Sequence, residues 1–159
     1  MELSFKEITK LADKQKWMRR FFQDYKGDYK EENQQMYAAT VKFVMVVSDD
    51  KELGFARIND KSNFFANQTS DPVWNLTDAY VKPAYRRQGV LRELISHLIT
   101  NHNVKMLYMQ TERFENNLYY YRTLGFTNYY AVQNDMMIWA FLKEFWPVVQ
   151  QRDAALNNA

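Results

Sequence analysis

The sequence Arg86-Arg87-Gln88-Gly89-Val90-Leu91 joins a β-rich run to the clearest helical pattern in the chain, and it is the most informative indication of the fold. The run before it, residues 74–81, is followed by Pro83, which cannot donate a backbone hydrogen bond to a strand ladder. After it, apolar residues recur at the spacing of one helix face: Leu91, Leu94, Ile95, Leu98 and Ile99. The sequence therefore predicts a strand, a turn that contains a glycine, and a helix that lies on a core.

The turn is a candidate site for an anion. The first N–H groups of a helix have no partner within the helix, and they point outward at the positive end of the helix dipole. A pyrophosphate can bind there, and Arg86 and Arg87 add positive charge. The stretch is not a P-loop, which ends in Gly-Lys-Ser/Thr, and with one glycine it is not a dinucleotide fingerprint. From these residues alone, a tight turn with two solvated arginines explains the pattern equally well.

The rest of the chain shows the patterns of an α/β protein. Apolar alternation and β-rich runs predict strands over residues 3–8, 41–47, 53–58, 74–81, 104–110, 126–132 and 136–142. Helical spacing predicts helices from residue 9 to Gly27 and over 30–39, 91–99 and 116–124, with a short one after Pro147. A helix fits residues 3–8 nearly as well, and 59–71 is predicted to be a loop. The predicted order is β-α-α-β-β-β-α-β-α-β-β, with a hairpin over 41–58.

Length and composition indicate one globular domain. The 159 residues are 47% hydrophobic and 16% aromatic, which is enough to form one core and too apolar for a disordered chain. We therefore expect a single domain over residues 1–159, with 143–159 as a C-terminal extension or tail. Lysine and arginine exceed aspartate and glutamate by 21 − 19 = 2, far from the excess of a dedicated nucleic-acid binder.

Several classes of site and location are excluded by what the chain lacks. The absence of cysteine excludes disulfides, zinc–thiolate and iron–sulfur sites, and a thiol nucleophile. We expect neither a secretory signal at the first residues nor a membrane span, and hence a cytoplasmic protein without a membrane partner. His97 and His102 have no carboxylate neighbour at ligand spacing, so no metal site is predicted.

Two motifs carry a family resemblance. The pattern Val81-x-Pro83-x-x-Arg86-Arg87-x-Gly89 is similar to motif A of the GNAT superfamily of acyl-CoA-dependent N-acyltransferases. Further along, Tyr121-x-x-x-Gly125-Phe126 resembles that family's Tyr-x-x-x-Gly-Phe signature, so the resemblance covers residues 74–126. It implies an α/β fold with a mixed, mostly antiparallel, twisted sheet flanked by helices.

The resemblance also implies that acetyl-CoA is the cosubstrate and that no metal takes part. Arg86 and Arg87 would lie beside its pyrophosphate, and the strand end Ala79-Tyr80-Val81 would pair its backbone with the pantetheine arm. The main-chain amides that would contact the pyrophosphate are those of Gln88, Gly89, Val90, Leu91 and Arg92.

The chain departs from the family pattern at three places, of which two concern the contacts with CoA and the third concerns the general base. Leu91 stands where relatives usually have Gly or Ala, so a larger side chain must be packed there. Phe114 stands where many relatives have Asn, and we assign the contact with CoA to Asn117, with Asn116 as the alternative. The first departure concerns the affinity for CoA more than the function.

The resemblance assigns the general acid to Tyr121, whose phenol can protonate the leaving thiolate of CoA. The run Tyr119-Tyr120-Tyr121 is aromatic and lies on a short helix, so a place in the core is the alternative. Relatives often carry Glu or His at two strand positions that here hold Asn75 and Thr77. Asp78 and Glu112 are our candidate bases, although Asp78 points to the opposite face of a regular strand. A water chain or an already neutral amine would also serve.

The chain is thus predicted to be an acetyl-CoA-dependent N-acetyltransferase that acts by direct attack of a primary amine. We expect a small-molecule or peptide amine, and a cation is favoured by the acidic residues Asp24, Asp28, Glu31 and Glu32. One alternative is a GNAT-shaped acyl-CoA-binding module without turnover. Another is an acetyltransferase of a nucleic acid or aminoacyl ester, which would use the basic helix face of Lys14, Lys16, Arg19 and Arg20. The small net charge argues against a nucleic-acid partner, and a homodimer is left open.

Overall fold

The computed structural model describes residues 2–25, 41–112, 115–134 and 136–158. The helices are α1 (Leu11–Tyr25), α2 (Val90–Asn101), α3 (Glu115–Thr123) and α4 (Trp146–Asn157). Short 3-10 turns lie at Ser62–Phe65, Pro83–Tyr85 and Lys143–Phe145. The strands are β1 (Ser4–Ile8), β2 (Val41–Ser48), β3 (Lys51–Asp60), β4 (Val73–Val81), β5 (Met106–Glu112), β6 (Asn128–Val132) and β7 (Met137–Phe141).

The described strands form one seven-stranded sheet in the order β1-β2-β3-β4-β5-β7-β6. The pairs β1/β2, β2/β3, β5/β7 and β6/β7 are antiparallel. The pair β4/β5 is parallel, with partners from Val73↔Met106 to Asn75↔Tyr108. The sheet is therefore mixed and mostly antiparallel, and helices flank it, which confirms the predicted fold class.

Two predicted strands begin later than expected, because the residues before them close a helix. Val104 lies just beyond the end of α2 and donates its N–H to the carbonyl of Leu98 in that helix (3.1 Å), and β5 begins at Met106. Phe126 donates in the same way to Tyr121 (3.1 Å), and β6 begins after this cap of α3. The 3.6-residue and 2-residue periods are hard to separate at such junctions.

Other segments differ from the prediction in extent. The predicted loop over 59–71 begins as part of β3 and then contains the turn Ser62–Phe65, whose Phe65 is buried. The helix expected after Pro147 extends over the whole of α4, with the proline in its first turn, where it costs no hydrogen bond. The helix predicted over 30–39 lies outside the described residues. None of the described helices is long and apolar enough to cross a membrane.

The described residues pack into two compact units, of which the first comprises residues 2–25, 41–59 and 78–94. Its core lies where α1 packs on the sheet, and Trp17 of this helix is buried against Phe43, Phe55 and Tyr80. The ring centroid of Trp17 lies 5.5 Å from that of Phe55 and 6.3 Å from that of Tyr80. Full burial of each such side chain contributes about 1.5–3 kcal/mol, so this aromatic contact holds α1 in place.

The second unit comprises residues 60–77 and 95–159, and its core is also aromatic. Tyr108 of β5 stacks on Trp139 and Phe141 of β7, at centroid distances of 5.6 and 5.7 Å. Burial raises the pKa of Tyr108 to about 12. α4 adds the buried Val148 and Val149 to the same core. The segment that we expected as an extension or tail thus contributes a packed helix to this unit.

Gly54 of β3 is a position where two backbones leave no room for a side chain. A Cβ at this residue would lie 2.2 Å from the carbonyl oxygen of Tyr80, which belongs to the backbone of β4. We expect Gly54→Ala to lower the free energy of unfolding by about 3 kcal/mol, at the upper end of the usual cost of overpacking, as measured by urea unfolding.

Gly89→Ala is the matched control for this prediction. A Cβ at Gly89 meets no atom within 4 Å, so the change adds only the strain of a positive φ, about 1 kcal/mol. Equal losses of stability in the two variants would contradict the steric explanation for Gly54.

Candidate active site

The turn between β4 and α2 has the backbone of an anion site. Arg87 and Gly89 have positive φ angles of 63° and 78°, and the first hydrogen bond of α2 runs from Glu93 N to Gly89 O (3.0 Å). The amides of residues 90–92 therefore precede the first bond within the helix. Residues 86–89 and the side chain of Arg92 are exposed, so a ligand can reach this turn from solvent.

Gly89 leaves space for a ligand beside the turn. A Cβ at this residue would meet no atom within 4 Å, while its φ of 78° is one that residues with a side chain rarely adopt. The glycine is therefore required by the backbone and not by a neighbouring group. Because residues 86–89 are exposed and the space beside Gly89 is open, a pyrophosphate could approach the start of α2, and the residues present fit that group.

The side chain of Leu91, which stands where the family usually has Gly or Ala, is accommodated by the core. Its half-buried side chain packs on a cluster of buried apolar residues that consists of Val46, Leu53, Val81 and Val90. The extra volume is thus taken up on the inner side of α2, while the amide of Leu91 keeps its place in the first turn of the helix.

The two arginines of the turn have different surroundings. Arg86 donates its Nε–H to the carbonyl of Val81 (2.7 Å), and its guanidinium lies over the ring of Tyr80, 5.5 Å from the centroid. Arg87 is exposed and adds positive charge to the surface. Arg86 is therefore part of the structure of the turn as well as a source of charge.

The backbone groups at the end of β4 point alternately to the two edges of the strand. The carbonyl of Tyr80 faces Gly54 of β3, since it is the atom that a Cβ at Gly54 would strike. Backbone groups alternate along a strand, so those of Ala79 and Val81 point to the opposite edge. The carbonyl of Val81 accepts the bond from Arg86. The predicted pairing with pantetheine would therefore fall to Ala79 and to the amide of Val81.

Asp78 forms a buried ion pair with Arg57 of β3. An oxygen of its carboxylate lies 2.5 Å from Nη2 of Arg57, and the side chains of Arg57 and Asp78 are only 10% and 12% exposed. Burial raises the pKa of Asp78, and the guanidinium opposes this shift. Asp78 and Tyr80 are two residues apart on one strand, so they share the face that packs beneath α1. Sequence reasoning missed Arg57, because nothing near it in the chain indicates its partner.

Tyr121 is held by the cap of α3. Phe126 donates to the carbonyl of Tyr121 and Gly125 to that of Arg122, both at 3.1 Å, and Gly125 has a φ of 104°. This is the double hydrogen bond of a helix that ends with a left-handed glycine. The Tyr-x-x-x-Gly-Phe signature is therefore a helix end, and it fixes the backbone from which the Tyr121 side chain projects.

The three consecutive tyrosines of α3 differ in exposure. Tyr119 and Tyr120 are 76% and 45% exposed, whereas Tyr121 is half-buried. Successive residues on a helix point about 100° apart, so Tyr121 lies on a different face from its neighbours. Glu112 ends β5 and Asn117 lies on α3, and both side chains lie outside the described part of the structure.

Asp24, expected to attract a cationic acceptor, is engaged within the chain. Its carboxylate accepts a hydrogen bond from the hydroxyl of Tyr80 and lies 4.0 Å from Nη2 of Arg86. These neighbours offset its charge, so the structure gives Asp24 no support as an attractor of cations. The other three members of that acidic set, Asp28, Glu31 and Glu32, lie outside the described residues.

The basic residues of α1 also have partners within the chain. Lys16 forms an ion pair with Glu52 (2.9 Å), Arg20 donates its Nε–H to the hydroxyl of Tyr80 (3.3 Å), and Lys14 lies over an aromatic ring. A nucleic-acid interface would need these charges to face phosphates. The structure therefore adds nothing in favour of that alternative.

The two histidines lie together at the end of α2. Nδ1 of His97 is 2.9 Å from Nδ2 of Asn101, and its ring lies 5.0 Å from that of His102. Burial, with a smaller contribution from His102, lowers the pKa of His97. Within the described ranges, no group of three or more His, Asp and Glu residues could hold a metal ion.

Comparison with known proteins assigns a family to this arrangement. The model of the Acetyltransferase (GNAT) domain matches residues 39–128. No curated protein sequence matches the chain. Among solved structures, the ribosomal-protein-S18-alanine N-acetyltransferase from Escherichia coli is 19% identical with a TM-score of 0.65, and the match covers 89% of this chain and 93% of that one.

Two further structures show the same fold with CoA or an analogue bound. AAC(6′)-Iy in complex with the bisubstrate analogue CoA-S-monomethyl-acetylneamine is 18% identical with a TM-score of 0.66, covering 84% of this chain and 96% of that one. A Bacillus subtilis acetyltransferase in complex with CoA is 13% identical with a TM-score of 0.63, covering 89% and 98%. At these identities the structures establish the fold alone. Because the domain model matches more than half of the chain, this protein belongs to the GNAT acetyltransferase family.

Proposed function

We propose that the chain transfers the acetyl group of acetyl-CoA to a primary amine by direct attack. The observation that supports this proposal is the turn before α2, where the amides of residues 90–92 precede the first helical bond and Gly89 leaves open space. Membership of the GNAT family supports an acyl-CoA-dependent transferase. The acetyl donor, the amine acceptor and the roles of individual residues are part of the proposal.

Acetyl-CoA supplies a thioester, whose carbonyl carbon accepts the amine and whose thiolate leaves. In this proposal the amides of residues 88–92 hold the pyrophosphate, with Arg86 and Arg87 beside it. The backbone at the end of β4 orients the pantetheine arm, and Asn117 makes a further contact with CoA. The chain thereby holds the donor beside the acceptor, which lowers the barrier because the two no longer have to meet in solution.

Two protons move in the reaction, and each is assigned to a side chain. Tyr121 gives the proton of its hydroxyl to the sulfur as the carbon–sulfur bond breaks, and a phenol is a group that can act as a general acid in this way. The amine loses a proton as the carbon–nitrogen bond forms, and Asp78 or Glu112 accepts it. The products are an N-acetyl amide and the free thiol of CoA. The phenolate of Tyr121 then takes up a proton from solvent and the carboxyl group releases one to solvent, so the protons balance and both side chains return to their starting states.

Asp78 is the better supported of the two candidate bases. Both partners of its ion pair with Arg57 belong to the described residues. The guanidinium stabilises the ionised carboxylate, which is the form that a base requires. Burial works in the opposite direction and makes that carboxylate more basic than one in water. The two effects together suit a group that must be ionised at neutral pH and still accept a proton.

The acceptor is proposed only as a small-molecule or peptide amine. The relatives of known structure are described with different acceptors, an alanine of ribosomal protein S18 in one case and an acetylneamine analogue in another. Neither acceptor follows for this chain from a shared fold. The engagement of Asp24 by Tyr80 and Arg86 removes one reason to prefer a cation.

Acetyl-CoA should bind through the turn. At one hundred times its dissociation constant it should stabilise the protein by about 2.7 kcal/mol, measured by thermal shift and calorimetry. Gly89→Val should weaken binding, because a β-branched side chain is strained at a positive φ and stands in front of the amides. Arg92→Ala should do less, since its amide stays in place. No thermal shift at millimolar acetyl-CoA would contradict the proposal.

Turnover should depend on the hydroxyl of Tyr121. Release of free CoA thiol, measured across a panel of primary amines, should show that Tyr121→Phe lowers kcat by about 100-fold and leaves the affinity for acetyl-CoA nearly unchanged. The controls Tyr119→Phe and Tyr120→Phe concern exposed rings and should be mild. Full activity of Tyr121→Phe would remove this residue from the mechanism. Binding of acetyl-CoA without thiol release from any amine would favour a binding module.

Asp78 should make the reaction rate fall at low pH, which gives the pH–rate profile an acid limb. Its pKa lies above the ordinary value of 3.8, so activity should fall as the pH is lowered through that raised pKa and the carboxylate takes up a proton. Arg57→Met removes the opposing guanidinium and should move the limb to higher pH. Asp78→Asn should abolish the limb, whereas Glu112→Gln should keep it. The reverse pattern would assign the proton to Glu112, and an unchanged limb in both variants would contradict a carboxylate base.

A further inference from the structure

Asp24 occupies a place that its own helix disfavours. It lies in the last turn of α1, where the helix dipole is negative and a carboxylate is destabilising by roughly 0.3–1 kcal/mol. The last turn of α1 contains no basic residue to offset this. Outside the helix, the carboxylate accepts a hydrogen bond from the hydroxyl of Tyr80 and lies 4.0 Å from Nη2 of Arg86. Within the helix, Arg20 adds a favourable charge interaction.

The same oxygen of Asp24, Oδ2, serves both partners. Tyr80 is almost completely buried, and its hydroxyl also accepts the Nε–H of Arg20 at 3.3 Å. Burial and the bond to Asp24 raise the pKa of Tyr80, so the hydroxyl keeps the proton that it donates. A buried hydroxyl with one donor and one acceptor is satisfied and has a fixed orientation.

Arg86 is thus held from three sides, at the start of the turn that precedes α2. Its Nε–H binds the carbonyl of Val81 (2.7 Å), its plane lies over the ring of Tyr80 (5.5 Å), and Nη2 faces Asp24. Two of the three contacts depend on the pair formed by Asp24 and Tyr80. A guanidinium is a planar fork, so fixing its plane fixes the directions of its donors.

We propose that Asp24 and Tyr80 are positioning residues of the acetyl-CoA site, which orient Arg86 and thereby the turn that receives the pyrophosphate. This inference rests on the proposed function, since it takes the turn of residues 86–92 to be the pyrophosphate site. A carboxylate close to an anion site would by itself repel the ligand. Asp24 therefore serves the site through the orientation of Arg86.

The test compares the affinities for two ligands, of which only one carries the nucleotide and its phosphates, including the pyrophosphate. Calorimetry with CoA and with pantetheine, which lacks the nucleotide and its phosphates, is carried out on the wild type, Asp24→Asn, Tyr80→Phe and Arg86→Lys. Each variant should bind CoA about tenfold more weakly, the loss expected of one charge-assisted hydrogen bond, and should bind pantetheine within about twofold of the wild type. Tyr80→Phe keeps the ring beneath Arg86 and removes only the hydroxyl.

Glu52→Gln is the matched control, because it also removes a carboxylate that pairs with a basic group in the same unit, Lys16 of α1. It should change neither affinity. Melting temperatures of all variants, measured without ligand, show whether a loss of affinity comes from a loss of structure, and Asp24→Asn is the variant least expected to disturb the core because Asp24 is exposed.

Four outcomes would overturn the inference. They are unchanged affinity for CoA in Asp24→Asn and Tyr80→Phe, equal losses for CoA and pantetheine, tighter binding of CoA by Asp24→Asn, or an equal loss in Glu52→Gln. Failure of the proposed function would look different, since the wild type itself would then not bind CoA, and the inference would fall with it.

Discussion

The buried side chain of Tyr80 is the contact on which the first unit and the candidate site both depend. Its ring packs on Trp17 of α1, and the opposite part of the same residue, its carbonyl, lies so close to β3 that only glycine fits at position 54. Its hydroxyl binds Asp24, and its ring supports Arg86. One residue, through its side chain and its carbonyl, therefore links the first helix, two strands and the turn that precedes α2. Because such a ring can pack in few ways, the geometry of the turn follows from the packing of the core.

Buried charge gives β4 a second constraint. A carboxylate taken out of water must have a partner, and Arg57 on the neighbouring strand supplies it for Asp78. Such a pair contributes little net stability, since the loss of hydration offsets most of the attraction, but removing one partner leaves a buried charge at a cost of about 3–5 kcal/mol. The pair therefore fixes which face of β4 carries Asp78. In the proposed reaction, this constraint also sets the protonation state of the carboxyl group.

Two glycines with a positive φ connect the family motifs to backbone geometry. Gly89 lets the chain turn into α2, whose first amides have no partner within the helix, and Gly125 ends α3 so that the carbonyl of Tyr121 is capped. The motifs are thus a helix start and a helix end. In the proposed reaction, the first motif supplies the amides at the start of α2 and the second supplies Tyr121 near the end of α3. In both, glycine allows the backbone conformation of the helix terminus.

Much of the fold could be predicted from the sequence, because periodicity, proline and glycine act within a few residues of one another. The strands and helices outside residues 30–39, the turn at Gly89 and the cap at Gly125 were all recognisable in this way. The two motifs also indicated the GNAT family. The pairing of groups far apart in the chain is visible only in the folded structure: Arg57 with Asp78, Asp24 with Tyr80 and Arg86, and α4 with the aromatic core. These contacts depend on which faces of different elements meet, and no local pattern of residues records that.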